Sequence, residues 1–179
     1  SRRVGLDYPD LVDDLAEGDV LLLDDGRIVL EVGQVIDREV RCRVRVGGTL
    51  SNNKGINKQG GGLSAPALTA KDMEDIRTAA EITCDFVAVS FPKSGADMRQ
   101  AHELLRAAGS DALLIAKIER VEAIAALEDI LHASDAIMVA RGDLAVEVGD
   151  AAVPALQKRL INAAREHNKI AITATQMME

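Results

Sequence analysis

Four short, unbroken apolar runs separated by helix-length segments constrain the fold of this chain more than any other feature. The runs lie at residues 86–90, 113–116, 137–140 and 170–173. Runs of four or five residues are too short for helices, and runs without polar alternation are typical of parallel strands covered on both faces. The intervening segments carry helix signals, including a capping residue at Thr69, a stop at Gly109 and a first-turn proline at Pro154. The pattern therefore predicts repeated βα units, with helices over residues 69–82, 94–108, 120–132 and 153–168.

Repeated βα units fold either as a (β/α) barrel or as a doubly wound sheet. No GxGxxG motif follows any of the four runs, which disfavours a doubly wound, dinucleotide-binding sheet. A complete barrel has eight strands and takes about 250 residues, whereas this chain has 179 residues. We therefore expect an α/β protein in which residues 65–179 form part of a (β/α)8 TIM barrel.

The first 64 residues have a different pattern. Residues 19–24, 27–32 and 40–46 are short runs rich in Val, Ile and Leu, and the last run alternates strictly with arginines. The Asp-Asp-Gly sequence at 24–26 is a hairpin signal. We expect three antiparallel strands closed by Gly47-Gly48, followed by a Gly-rich linker or functional loop over 51–64.

Composition limits the class of partner. A net charge of −8 is the opposite of the basic surface that nucleic-acid-binding proteins present. No apolar run approaches the roughly 18 residues of a membrane span, so we expect a soluble, cytoplasmic protein that binds neither nucleic acid nor membrane. Cys42 and Cys84 have no CxxC partner or nearby histidine, which favours reduced, buried thiols. His102, His132 and His167 fall in or at the ends of predicted helices, which favours exposed helix residues over ligands or catalysts.

Polar side chains follow the apolar runs, where the carboxyl ends of parallel strands collect functional groups. These positions hold Ser90 and Lys93, then Lys117 and Glu119, then Arg141 and Asp143, then Thr175 and Gln176. The carboxylates of Glu119 and Asp143 are ligands suited to a hard cation such as Mg²⁺. Lys117 precedes Glu119 by two residues, so in an extended chain the two side chains point the same way. An ammonium beside a metal is suited to stabilising a phosphoryl group or an enolate.

Each of these residues has a plainer interpretation when it is taken singly. A lone Lys or Glu at a strand end is commonly a solvated charge or part of a surface ion pair. Asp143 after Gly142 can simply cap the turn that follows. Their concurrence at successive strand ends favours a metal-assisted active site.

Five segments closely resemble the pyruvate kinase family. They are LSNNKGIN at 50–57, FVAVSFPKS at 86–94, AKIER at 116–120, SDAIMVARGDLAVEVG at 134–149 and ITATQMME at 172–179. The resemblance runs through essentially the whole chain in the family's order, and the ARGDL and ATQM elements are specific to that family. Ala145, where Gly is common, and Lys93, where Arg is frequent, depart mildly from the pattern.

The resemblance implies phosphoryl transfer from phosphoenolpyruvate to ADP, which yields ATP and an enolate that becomes pyruvate. It implies that Glu119 and Asp143 bind Mg²⁺, with Mn²⁺ as an alternative metal. Lys117 corresponds to the cation that neutralises the transferring phosphoryl group and the enolate oxygen. Thr175 corresponds to a substrate contact on the proton path.

Two further elements of the family site are implied by the resemblance. Ala140, Arg141, Gly142 and Asp143 correspond to a turn that offers backbone N–H groups to the substrate carboxylate, which Gly142 lets approach closely. Lys54 corresponds to a lysine of the mobile lid that reaches the ADP phosphates.

The resemblance also bears on how much of the family's architecture this chain contains. It implies that residues 1–64 are part of a small β-barrel lid domain with its hinge, and that 65–179 are the middle part of the catalytic barrel. We therefore expect a fragment that is inactive alone, with K⁺ bound through residues outside it and a homotetramer as the family's assembly. Two alternatives are a related Mg²⁺-dependent lyase acting on a C–C bond beside a pyruvate enolate, and a non-catalytic truncated module.

Overall fold

The computed structural model describes residues 3–174, and the chain divides into two compact units between Ala65 and Pro66. The first unit contains a short 3₁₀ helix, Pro9–Asp14, and an antiparallel sheet of order β3-β2-β1-β4. Its strands are β1 (Val20–Leu23), β2 (Ile28–Ile36), β3 (Glu39–Val46) and β4 (Ile56–Lys58). The three strands predicted from the sequence are therefore confirmed.

The β1–β2 turn has the conformation that its sequence predicts. Asp24, Asp25 and Gly26 all have positive φ angles, and the Arg27 N–H donates to the Asp24 carbonyl at 3.1 Å. Asp and Gly tolerate this left-handed backbone better than other residues. The turn places Leu21 and Leu23 of β1 against Ile28 and Val32 of β2, in a small apolar core that also includes Leu11 and Leu15.

The fourth strand corrects the sequence-based prediction. β4 lies within residues 51–64, which were expected to be a linker or loop, and pairs antiparallel with β1 so that Leu22 faces Asn57. Gly47-Gly48 therefore does not close the sheet. A three-residue strand is too short to show a period in the sequence, and its Asn and Lys give no apolar signal.

The second unit contains a parallel sheet whose strand order, β5-β6-β7-β8, follows the order of the chain. Its strands are β5 (Phe86–Val89), β6 (Leu113–Ile118), β7 (Ala136–Ala140) and β8 (Ile170–Ala174). Its helices are α1 (Ala70–Glu81), α2 (Gly95–Ala107), α3 (Val121–Ala125), α4 (Leu127–His132), α5 (Arg141–Val148) and α6 (Val153–Glu166). The predicted α/β class with a parallel sheet is confirmed, and no closed barrel is formed within residues 66–174.

Local signals in the sequence explain where these helices begin and end. Thr69 and Asp72 form a capping box on α1, in which the Thr69 N–H donates to Asp72 Oδ2 at 2.7 Å and the Asp72 N–H donates to Thr69 Oγ1 at 3.2 Å. Gly109, with a φ of +77°, follows α2 and ends it. Pro154 lies in the first turn of α6, where its missing N–H costs nothing.

Three details of the second unit differ from expectation. The predicted helix over 120–132 is divided at Ala126 into α3 and α4. β5, expected to be buried, leaves Phe86 49% exposed because it is an edge strand. α5 was not predicted, since Gly142 lowers helix propensity in its first turn.

The core of the second unit lies between the sheet and its helices, and it is almost entirely apolar. Its fully buried side chains include Met98, Leu114, Ile118, Ile130, Ile137, Leu144 and Leu160. Cys84 in this unit and Cys42 in the first are free thiols as predicted, but both are half-buried rather than buried. Across residues 3–174, none of the helices combines the length and apolar character that crossing a membrane requires.

Candidate active site

The carboxyl end of β6 brings Lys117 and Glu119 together. Lys117 is the fifth residue of β6, and Glu119 follows the strand, so the period-two alternation places both side chains on one side of the sheet. Lys117 Nζ lies 2.6 Å from Glu119 Oε1, and it donates to Ser90 Oγ, beyond the end of β5, at 3.0 Å. The predicted common direction of the Lys117 and Glu119 side chains is therefore confirmed, and the two groups form an ion pair.

Glu119 is a buried carboxylate with defined partners, and it is only 1% exposed. Its second oxygen, Oε2, accepts the backbone N–H of Phe91 at 2.8 Å. Burial raises the pKa of Glu119, and the charge of Asp143 raises it further, while Lys117 and the Phe91 N–H oppose the shift. The Glu119 carboxyl group therefore ionises at a higher pH than an ordinary glutamic acid.

Arg141, Gly142 and Asp143 form the first turn of α5, which begins directly at the end of β7. The first N–H groups of a helix have no acceptor within the helix. The expected turn is therefore a helix N-terminus, which offers the same free backbone donors with the positive end of the helix dipole behind them. Asp143 is half-buried, and its charge raises the pKa values of both Glu119 and Glu147, so these carboxylates interact.

Arg141 is directed towards α6. One terminal nitrogen of its guanidinium, Nη1, donates to Gln157 Oε1 at 2.8 Å. Its Nε is buried and has no hydrogen-bond partner among the described residues. The side chain of Arg141 is thus anchored by α6 while its backbone opens α5.

Glu147 is a buried residue of this region that the sequence-based reasoning missed. It lies one turn after Asp143 on α5, is 6% exposed, and accepts the Val121 N–H through Oε2 at 2.8 Å. It therefore caps α3, the helix that begins two residues after Glu119. Burial raises the pKa of Glu147, opposed by the Val121 N–H and by the charge of Arg120. The four-residue spacing between Asp143 and Glu147 was the signal that could have revealed it.

Other predicted residues lie elsewhere. Lys54 belongs to the first unit, where its Nζ lies 2.7 Å from Asp24 Oδ1. The Lys93 N–H donates to Asp97 Oδ2 at 2.8 Å, as part of the cap of α2. Thr175 and Gln176 lie outside the described residues.

Comparison with known proteins identifies the family. The family model described as the barrel domain of pyruvate kinase matches residues 1–179. The chain is 58% identical over 181 residues to a pyruvate kinase of Buchnera aphidicola, covering 99% of this chain and 38% of that protein. It is also 58% identical to the pyruvate kinase of Haemophilus influenzae and 57% identical to pyruvate kinase II of Salmonella typhimurium, with the same two shares covered. The chain spans about 38% of the length of these relatives. Since the family model extends over every residue and the relatives agree with it, the chain belongs to the pyruvate kinase family.

Proposed function

We propose that this protein transfers the phosphoryl group of phosphoenolpyruvate to ADP, giving ATP and pyruvate, and that this chain supplies the cation-binding and enolate-stabilising part of the site. The observation that supports the proposal most directly is the buried Glu119 carboxylate, paired with Lys117 at 2.6 Å and influenced by Asp143. The names of the relatives agree with it. We further propose that residues 1–64 belong to a lid domain and 65–179 to a TIM barrel.

Glu119 and Asp143 are the residues that would hold Mg²⁺, or Mn²⁺ in its place. They fit such an ion because both are carboxylates, the type of ligand that these hard cations prefer. The fit is also electrostatic, because the charge of Asp143 raises the pKa of Glu119 and the charge of a bound cation would oppose that effect. A bound divalent ion supplies neutralisation of the phosphate charge and polarisation of the oxygen at which the enolate develops.

Lys117 is proposed to stabilise negative charge on the transferring phosphoryl group and on the enolate oxygen. An ammonium has three N–H donors. Lys117 Nζ forms an ion pair with Glu119 at 2.6 Å and donates to Ser90 Oγ at 3.0 Å, and we propose that a further N–H donates to a substrate oxygen. The two protein contacts fix the position of Nζ before substrate binds, so little reorganisation is needed when charge develops.

The first turn of α5 is proposed to bind the substrate carboxylate. The backbone N–H groups of Arg141, Gly142 and Asp143 are donors without acceptors in the helix, and Gly142 has no side chain to obstruct the approach. We assign Thr175 to the substrate contact on the proton path and Lys54 to the ADP phosphates. K⁺ binding through residues outside this chain, assembly as a homotetramer and a cytoplasmic location complete the proposal.

A chimera tests the function in a complete enzyme. The 179 residues replace the matching segment of the Haemophilus influenzae pyruvate kinase, to which they are 58% identical, and pyruvate formation from phosphoenolpyruvate and ADP is followed. We expect turnover, and a loss of kcat/KM of at least about a hundredfold in Asp143→Asn, the usual scale for losing one group that stabilises a transition state. Asp150→Asn, at an exposed position of the same region, is the matched control and keeps its activity. A folded chimera that forms no pyruvate contradicts the proposal.

A further inference from the structure

Three side chains of metal-binding type meet on the surface of the second unit, away from Lys117, Glu119 and Asp143. Glu128 and His132 lie one turn apart in α4, and His167 directly follows α6. One carboxylate oxygen and two imidazole nitrogens from these residues lie within 4.8 Å of one another. We propose that Glu128, His132 and His167 bind a transition-metal ion of the Zn²⁺ type. This proposal is independent of the proposed function.

The hydrogen bonds of the two histidines leave the correct nitrogen available. His132 Nδ1 lies 2.7 Å from the Glu128 carbonyl oxygen, and His167 Nδ1 lies 2.9 Å from the Ala163 carbonyl oxygen. A carbonyl oxygen can only accept, so Nδ1 carries the proton in each ring, and Nε2 of the neutral ring holds the free lone pair. Metal-binding histidines typically donate their other N–H to a carbonyl in this way.

The ligand atoms are already directed towards one another. His167 Nε2 lies 2.8 Å from Glu128 Oε2, and the two imidazole rings stand perpendicular with centroids 5.1 Å apart. At 2.8 Å the two atoms share a proton, as in an ion pair. A metal ion that replaced this proton would need them about 3.3 Å apart, the separation of two ligand atoms in a tetrahedral Zn²⁺ site, which a small shift of the exposed Glu128 side chain provides. A set of two imidazoles and one carboxylate is a Zn²⁺ ligand set with a fourth position for water, whereas Mg²⁺ prefers oxygen ligands.

The site lies at the opposite end of the sheet from Glu119. His132 ends α4 just before β7, and His167 precedes β8, so both histidines lie near the amino ends of these parallel strands. Lys117 and Glu119 lie at the carboxyl end of β6. A metal ion at this position would join the last turn of α4 to the end of α6, which makes its role structural, and binding to the folded state alone would stabilise it.

Calorimetric titration of the untagged protein with Zn²⁺ tests the site, with Co²⁺ absorption as a second measurement. Excess Mg²⁺ is present throughout to occupy carboxylate sites, and Cys42 and Cys84 are replaced by serine so that thiols do not contribute. We expect one Zn²⁺ per chain, a visible absorption band with Co²⁺, and a rise in Tm on adding Zn²⁺. The band is expected because a low-symmetry site with nitrogen ligands absorbs more strongly than an all-oxygen site.

The variant His132→Ala/His167→Ala provides the decisive comparison. We expect its Zn²⁺ affinity to fall by at least about tenfold, since removing a residue that only hydrogen-bonds to a metal ligand already costs that much. The cobalt band and the rise in Tm should also disappear. His102→Ala, which removes an exposed histidine of α2, is the matched control and keeps all three. Circular dichroism establishes that each variant is folded, and Glu128→Gln provides a milder change if the double variant is not. Equal Zn²⁺ affinity in the parent and in a folded ligand variant overturns the proposal, as does an absence of Zn²⁺ binding by the parent.

Discussion

Replacement of Glu147 by alanine and by glutamine separates the two contributions of this buried carboxyl group. Its Oε2 accepts the Val121 N–H at 2.8 Å, and Val121 is the first residue of α3, so this N–H has no acceptor within the helix. Alanine leaves that donor unpaired, at a cost of about 1–3 kcal/mol, and removes one buried methylene group worth about 0.8 kcal/mol. Glutamine keeps an acceptor oxygen and the methylene group. We therefore expect Glu147→Ala to be less stable than Glu147→Gln by about 2–4 kcal/mol.

The free energy of unfolding of the wild-type protein should change relative to that of these variants as pH changes. Because burial raises the pKa of Glu147 in the folded state, the folded state binds the proton more tightly than the unfolded state. The stabilisation from this group is fully present below the ordinary pKa of a glutamic acid and is lost as pH rises through the folded-state pKa. Wild type should match Glu147→Gln in acid and be less stable than it at neutral pH.

Urea unfolding followed by circular dichroism, over a pH series, measures these differences. Other carboxyl groups titrate in the same range, but they are common to all three proteins, and those that do not interact with Glu147 cancel when the free energies of unfolding are subtracted. The difference between the two variants should not depend on pH, since neither carries a carboxyl group at 147. A wild type that gains stability over Glu147→Gln as pH rises would refute the reasoning, and so would an alanine variant as stable as the glutamine variant.

Three other predictions concern residues at or after the carboxyl ends of the parallel strands β5, β6 and β7. Lys117→Met in the chimera should lower kcat by about 10²–10³, the scale for losing one donor that stabilises developing charge. Ser90→Ala removes only one hydrogen bond that positions Lys117, and it should lower kcat by about tenfold or less. Similar losses of kcat in both variants would contradict a direct role of Lys117. Gly95→Ala should destabilise the protein by about 1–3 kcal/mol in urea unfolding, because a Cβ at this position would lie 2.6 Å from Asp129 Oδ1 and closer still to the Asp129 carbonyl oxygen. Unchanged stability would contradict this prediction and show that α4 moves away from α2 at little cost. Asp143→Asn should weaken Mg²⁺ binding in calorimetry by at least about tenfold, and equal affinity would remove Asp143 from the site.

The sequence predicted the elements whose signal is local and repeated. The four parallel strands have unbroken apolar runs, and α1 has a complete capping box at Thr69. The sequence-based prediction missed β4 and α5, each for a physical reason. β4 is held by its pairing with β1, a contact that no local pattern encodes. α5 begins with Arg141-Gly142-Asp143, where glycine disfavours a helix and tertiary packing of Leu144 overrides it.

The site was predictable to the extent that it depends on strand alternation. Lys117 lies in β6 and Glu119 follows it two residues later, so the common direction of their side chains followed from the period of a strand. The cap that Glu147 provides for Val121 joins residues 26 positions apart, and it depends on how α5 packs against α3. The meeting of His132 with His167 likewise depends on the contact between α4 and α6. Tertiary contacts between helices were therefore the part that the sequence could not provide.

In the second unit, the strands supply stability, and the candidate site residues lie at or beyond their carboxyl ends. The strands bury Leu114, Ile118 and Ile137 completely, which stabilises the sheet. Beyond the strand ends, burial raises the pKa values of Glu119 and Glu147, so at neutral pH the charges there oppose folding. A cation held by Glu119 would favour its ionised form, so cation binding and loss of the carboxyl proton must be coupled. A Glu119 carboxylate that destabilises the free protein would thus be stabilised by the ion that we propose it binds.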